Sequence, residues 1–106
     1  SNNVELGDRL EGNTLCMDGK IDINFYMNLP DKVVNDSGAY MEFTMPDGCV
    51  SKKMLSDARV TSDGLYVFSC GISPKQMSDV ISARIISNGI KGNIYIFSKA
   101  ICRICV

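Results

Sequence analysis

A chain of 106 residues, 45% hydrophobic and 22% charged, is long enough for one domain with its own core and has the composition of an ordinary globular protein. A formal net charge of −1 gives no field for a phosphate backbone or an anionic lipid surface, and no apolar run approaches the ~20 residues of a membrane-spanning helix. Nucleic acid is therefore not expected as a partner, nor is membrane insertion.

Residues 1–12 read as a polar leader, with Ser1-Asn2 resembling a vector remnant, ahead of a domain over 13–98 and a C-terminal tail over 99–106. Within the domain, turn signals recur at short intervals: Asp18-Gly19, Asp47-Gly48, Asp63-Gly64 and Asn88-Gly89. Regular turns with short β-prone runs between them are the pattern of an all-β sandwich or barrel. Residues 15–17 are a weak first strand. The strongest follows, where Ile21, Ile23, Phe25, Met27 and Leu29 alternate with Asp22, Asn24, Tyr26 and Asn28. Five apolar residues on one period-2 face define a half-buried strand.

Pro30-Asp31-Lys32-Val33-Val34 places proline where a first helical turn accepts it. Ala39, Met41, Phe43 and Met45 then repeat the alternation, with Tyr40, Glu42 and Thr44 on the other face. Residues 50–55 are a second weak strand. Residues 65–72 and 80–86 are partly apolar on both faces, as central strands are. Between them, Ser73-Pro74-Lys75-Gln76 has the capping-box arrangement of a helical turn. Residues 94–97 close the set. The expected fold is all-β: a seven-stranded immunoglobulin- or fibronectin III-like sandwich with one or two short helical turns.

Catalytic groups are sparse. Histidine is absent, which removes the commonest general base and metal ligand. No Gly-x-Ser-x-Gly elbow is present, and Asp18, Asp47 and Asp63 sit beside glycine in turns, where turn chemistry accounts for them. Cys102-Arg103-Ile104-Cys105 has a metal-like spacing but lacks the second pair that a zinc site needs. The five cysteines cannot all pair within the chain, and their spacings match no disulfide scaffold; Cys70, in an apolar run, reads as a small buried hydrophobe. Asp18, Asp22 and Asn24 have spaced oxygens, but Leu29 stands where a calcium loop would place its glutamate. No catalytic residue, metal or cofactor is expected.

The candidate binding residues are Tyr26 and Tyr40. With Phe25 and Phe43 in the core, these tyrosines project from the opposite faces of their strands, where a phenol ring can stack on a sugar or anchor a partner protein.

Residues 15–98 resemble a module recurrent in large surface and secreted proteins of Gram-positive gut bacteria. The resemblance rests on Ile21-Asp22-Ile23-Asn24-Phe25-Tyr26-Met27, Ala39-Tyr40-Met41-Glu42-Phe43-Thr44, Leu65-Tyr66-Val67-Phe68-Ser69-Cys70 and Gln76-Met77-Ser78-Asp79. It implies an extracellular or cell-wall location and a module without established activity, set among leucine-rich repeats, sugar-active domains or peptidase-like domains. The tail departs from it, since the family usually continues with an aromatic and charged helical run. The function expected on this basis is non-catalytic, a structural or adhesion-type module contacting neighbouring domains of a larger polypeptide. The alternative is a carbohydrate-binding module attached to an enzyme.

Overall fold

The computed structural model describes residues 5–16, 21–73 and 80–97, and the backbone of 103–105. Its strands are β1 (Arg9–Cys16), β2 (Ile21–Asn28), β3 (Tyr40–Thr44), β4 (Val50–Met54), β5 (Arg59–Val60), β6 (Tyr66–Ile72), β7 (Ile81–Ser87), β8 (Ile90–Lys91), β9 (Tyr95–Phe97) and β10 (Arg103–Cys105). A single helical turn, α1 (Asp31–Val34), and a 3-10 turn at Leu55–Asp57 interrupt them. The domain is all-β, with strands in two five-membered sheets. The first has the order β10-β1-β2-β6-β5; the second runs β4-β3-β7-β8, with β9 also pairing β7.

Where seven strands were expected, the described residues form ten strand segments. The three additional ones are the short β5, β8 and β10, each of two or three residues. β1 reaches back to Arg9, into the stretch expected as a polar leader, and Leu6 and Asp8 ahead of it are buried. β10 lies in the stretch expected as a tail and pairs in parallel with β1. Proline 30 caps α1, which carries the chain from the first sheet to the second and buries Val33. The capping box at residues 73–76 and the Asp18-Gly19 turn lie largely or wholly outside the described residues.

The period-2 pattern becomes the core directly. Ile23, Phe25 and Met27 of β2 face Met41 and Phe43 of β3 across the sandwich, and all five are fully buried. All four phenylalanines, Phe25, Phe43, Phe68 and Phe97, are at most 1% exposed. Phe25 and Phe43 meet with ring centroids 5.5 Å apart at a 46° tilt, linking one sheet to the other. Cys70 is buried in the same cluster, and burial pushes its thiol pKa up.

Three turn signals close antiparallel pairs. Asp47-Gly48 joins β3 to β4, Asp63-Gly64 joins β5 to β6, and Asn88-Gly89 joins β7 to β8. Asn88 and Gly89 have φ of 53° and 75°, the two successive left-handed residues of a type I′ hairpin. The N-terminal segment depends on a different property of glycine. Gly92, between β8 and β9, stands where a Cβ would meet Asp8 Oδ1 at 2.8 Å and Leu6 Cδ1 at 3.1 Å. Tyr95 holds Asp8 in that position, its hydroxyl donating to the Asp8 carbonyl oxygen at 3.1 Å and to Oδ2 at 2.5 Å. Burial, and then the Asp8 hydrogen bond, raise the Tyr95 phenol pKa, so the proton stays on tyrosine.

A second polar clamp ties the α1 crossover to the β7–β8 turn. Asp36 Oδ2 accepts from Ser87 Oγ at 2.8 Å and from the Asn88 amide at 2.9 Å, while Oδ1 accepts from the Gly38 amide at 3.0 Å. These bonds, Ser87 foremost, lower the Asp36 pKa below 3.8. A carboxylate whose folded pKa is depressed contributes stability above its unfolded pKa and loses it as pH falls through the folded value. Asp36→Ala should therefore lower the melting temperature at neutral pH, and the gap to the native protein should narrow as pH drops below 3.8. A gap that is constant between pH 7 and pH 2 would contradict the clamp.

Candidate functional sites on the two outer faces

Because strand residues alternate faces, each sheet presents one face to the core and one outward. The outer face of the first sheet is a layered polar surface. Register aligns Thr14, Asn24 and Ser69 across β1, β2 and β6. Asn24, only 7% exposed, donates from Nδ2 to Thr14 Oγ1 and Cys16 Sγ, both at 3.2 Å, and accepts at Oδ1 from Ser69 Oγ at 2.6 Å. An amide with both ends engaged holds the three strands in one register.

Tyr26 stands in the next row, between Gly12 of β1 and Val67 of β6, with Arg59 of β5 beyond. Its hydroxyl lies 3.5 Å from Thr14 Oγ1. A side chain built at Gly12 would meet nothing within 4 Å, so the surface beside Tyr26 is open. Past it, the β1 register shifts between Leu10 and Gly12, and Glu11 in that bulge accepts from Arg9 Nε at 2.9 Å and Asn28 Nδ2 at 3.5 Å.

The outer face of the second sheet is different. Register places Met54, Tyr40 and Ile86 in one row, Lys52, Glu42 and Arg84 in the next, and Val50, Thr44, Ser82 and Ile96 in a third. Lys52 Nζ lies 4.8 Å from the centroid of the Tyr40 ring, so a cation already occupies one side of this tyrosine. Six large hydrophobic residues are notably exposed among those described; Val50, Met54 and Ile96 belong to this sheet, and Val80 and Ile94 adjoin its strands.

Tyr26 and Tyr40 thus face outward, as their parity requires, but on opposite sides of the sandwich. The structure does not bring them together into one site. The Thr14–Asn24–Ser69 row leaves no local signal in the sequence, because it depends on pairing among strands far apart in the chain. The exposed apolar set of the second sheet leaves a partial trace, since Ile94 and Ile96 alternate with Tyr95 and Phe97. Of the calcium-like segment, Asp22 and Asn24 lie in β2 and Asp18 is outside the described residues; no group of three or more metal-binding side chains occurs among the described residues. The Cys102–Cys105 spacing also falls largely outside them. No helix among the described residues is long and apolar enough to cross a membrane.

Comparisons with protein families, with curated proteins and with solved structures find no match to this chain.

The two faces of β2 should respond differently to truncation. Phe25→Ala leaves a cavity in a fully buried site and should cost roughly 3–5 kcal/mol in denaturant melts. Tyr26→Ala removes a half-buried outward ring and should cost only about 1 kcal/mol. Equal losses would mean that both faces of β2 are covered.

Proposed function

We propose that the chain is a non-catalytic structural or adhesion-type module of a bacterial cell-surface or secreted protein, acting through contact with neighbouring domains. The observation that carries this reading is the outer face of the second sheet, where Met54 beside Tyr40, and Val50 and Ile96 beyond the Lys52–Glu42–Arg84 row, remain exposed. Apolar side chains on one face, interleaved with charges of alternating sign, suit an interface between folded domains. The topology is compatible with an immunoglobulin- or fibronectin III-like module. Taking β8 and β9 as one interrupted strand, with β5 and β10 as edge additions, leaves seven principal strands, and the chain changes sheet between β2 and β3, between β4 and β5, between β6 and β7 and again between β9 and β10. The resemblance in the sequence supports the extracellular or cell-wall setting.

The second reading, a carbohydrate-binding module attached to an enzyme, is favoured by the open surface beside Tyr26 above an ordered polar row. A sugar ring stacks on an aromatic face and takes hydrogen bonds from fixed polar groups.

Amide hydrogen exchange of this chain alone and joined to its flanking domains separates the two. Domain contact predicts slower exchange in the joined protein over Val50–Met54 and Tyr95–Phe97, with the first sheet unchanged. Equal exchange on the second sheet would contradict it. Glycan-array binding abolished by Tyr26→Ala and by Gly12→Val would establish the carbohydrate reading instead.

A further inference from the structure

The backbone register between β1 and β10 pairs Thr14 with Arg103, Leu15 with Ile104 and Cys16 with Cys105. Two of the five cysteines, 89 positions apart in the sequence, therefore occupy directly opposed positions on adjacent strands. Neighbouring strands lie about 4.8 Å apart, inside the ~4.4–6.8 Å range of Cα separations that a disulfide spans. Directly opposed residues also share a face of the sheet.

The neighbourhood of Cys16 is ordered. Asn24 Nδ2 donates to its sulfur at 3.2 Å and is itself fixed by Thr14 and Ser69. The other described cysteines are less suited to thiol exchange, because the thiolate is the nucleophile. Cys49 is exposed, but the hydrogen bond and charge of Asp47 raise its pKa. Cys70 is 3% exposed in the core. β10 itself is weakly held by its own pairing: it has three residues, joins the sheet in parallel and, among the described residues, pairs with β1 alone. A covalent link at this position would fasten it.

We propose that Cys16 and Cys105 form a reversible disulfide that locks β10 onto β1. The oxidant is a low-molecular-weight disulfide, for which oxidised glutathione serves as the probe. The Cys16 thiol gives up its proton to solvent and its thiolate attacks one glutathione sulfur, forming a mixed disulfide and expelling one glutathione thiolate. The Cys105 thiolate then attacks the Cys16 sulfur and expels the second. Two protein thiols are oxidised, one glutathione disulfide is reduced to two glutathione thiols, and no other co-reactant is needed. The link joins an edge strand of three residues to the sheet, so its role is to hold or release β10.

The test equilibrates the full chain with defined ratios of reduced to oxidised glutathione, blocks remaining thiols with an alkylating agent and maps tryptic peptides by mass spectrometry. Lys20 ends the peptide carrying Cys16, and cleavage after Lys99 and Arg103 puts Cys102 and Cys105 on separate peptides, so the partner is assigned without ambiguity. The expected product joins the Cys16 and Cys105 peptides, with Cys49 and Cys70 alkylated. Cys102→Ser should retain this product and Cys105→Ser should abolish it. Amide exchange at 103–105 should slow on oxidation of the native chain and stay unchanged in Cys105→Ser. A bond from Cys16 to Cys102, a Cys102–Cys105 bond in place of the expected one, or Cys16 alkylated at every ratio overturns the proposal.

Discussion

The contact between Phe25 and Phe43 is where the two sheets become one structure. Each ring sits at the inward position of a strand with strict alternation, one in each sheet, and the two meet at 5.5 Å in a tilted arrangement. Phe68 lies beside Phe25 in register and Ala83 beside Phe43, so a large pair in the first sheet faces a large–small pair in the second. That alternation of volume lets two pleated faces interdigitate at close-packed density. Once these inward positions are fixed, period 2 fixes every outward one, and the character of both outer surfaces follows.

Those surfaces differ in kind. On the first sheet the outward positions carry hydrogen-bonding side chains that satisfy one another around the nearly buried Asn24. On the second they carry exposed aliphatic residues separated by alternating charges. Two carboxylates act at the margins of the sandwich. Asp36 fastens a crossover to a hairpin, and Asp8 fastens the N-terminal segment against Gly92 and Tyr95. Both carboxylates add polar ties to segments that also send Leu6 and Val33 into the apolar core.

Local signals in the sequence were enough for the strands whose pattern is local. β2 and β3 follow from alternation, and three hairpin turns follow from Asp-Gly or Asn-Gly pairs with positive φ at glycine. β1 was read too short because Glu11 and Gly12 form a bulge that breaks the alternation after Leu10. β4 looked weak because all five of its residues are exposed at a sheet edge, where no hydrophobic period is required. The outward direction of Tyr26 and Tyr40 was legible from their neighbours. Their placement on opposite sides was not, since it depends on which sheet each strand joins, a long-range choice that no local pattern records. The same holds for the Thr14–Asn24–Ser69 row and for Cys16 beside Cys105, which depend on register between distant segments.

The two sheets are coupled through the Phe25–Phe43 contact, and a double-mutant cycle measures that coupling directly. Phe25→Leu, Phe43→Leu and the double variant keep the core apolar, so the domain remains folded while the ring–ring contact is removed. Denaturant unfolding should give single losses whose sum departs from the double-variant loss by about 0.5–1.5 kcal/mol, the usual worth of a packed aromatic pair beyond its buried area. Strict additivity, within the experimental error of the cycle, would show that the rings do not sense each other and would contradict the sandwich interface described above.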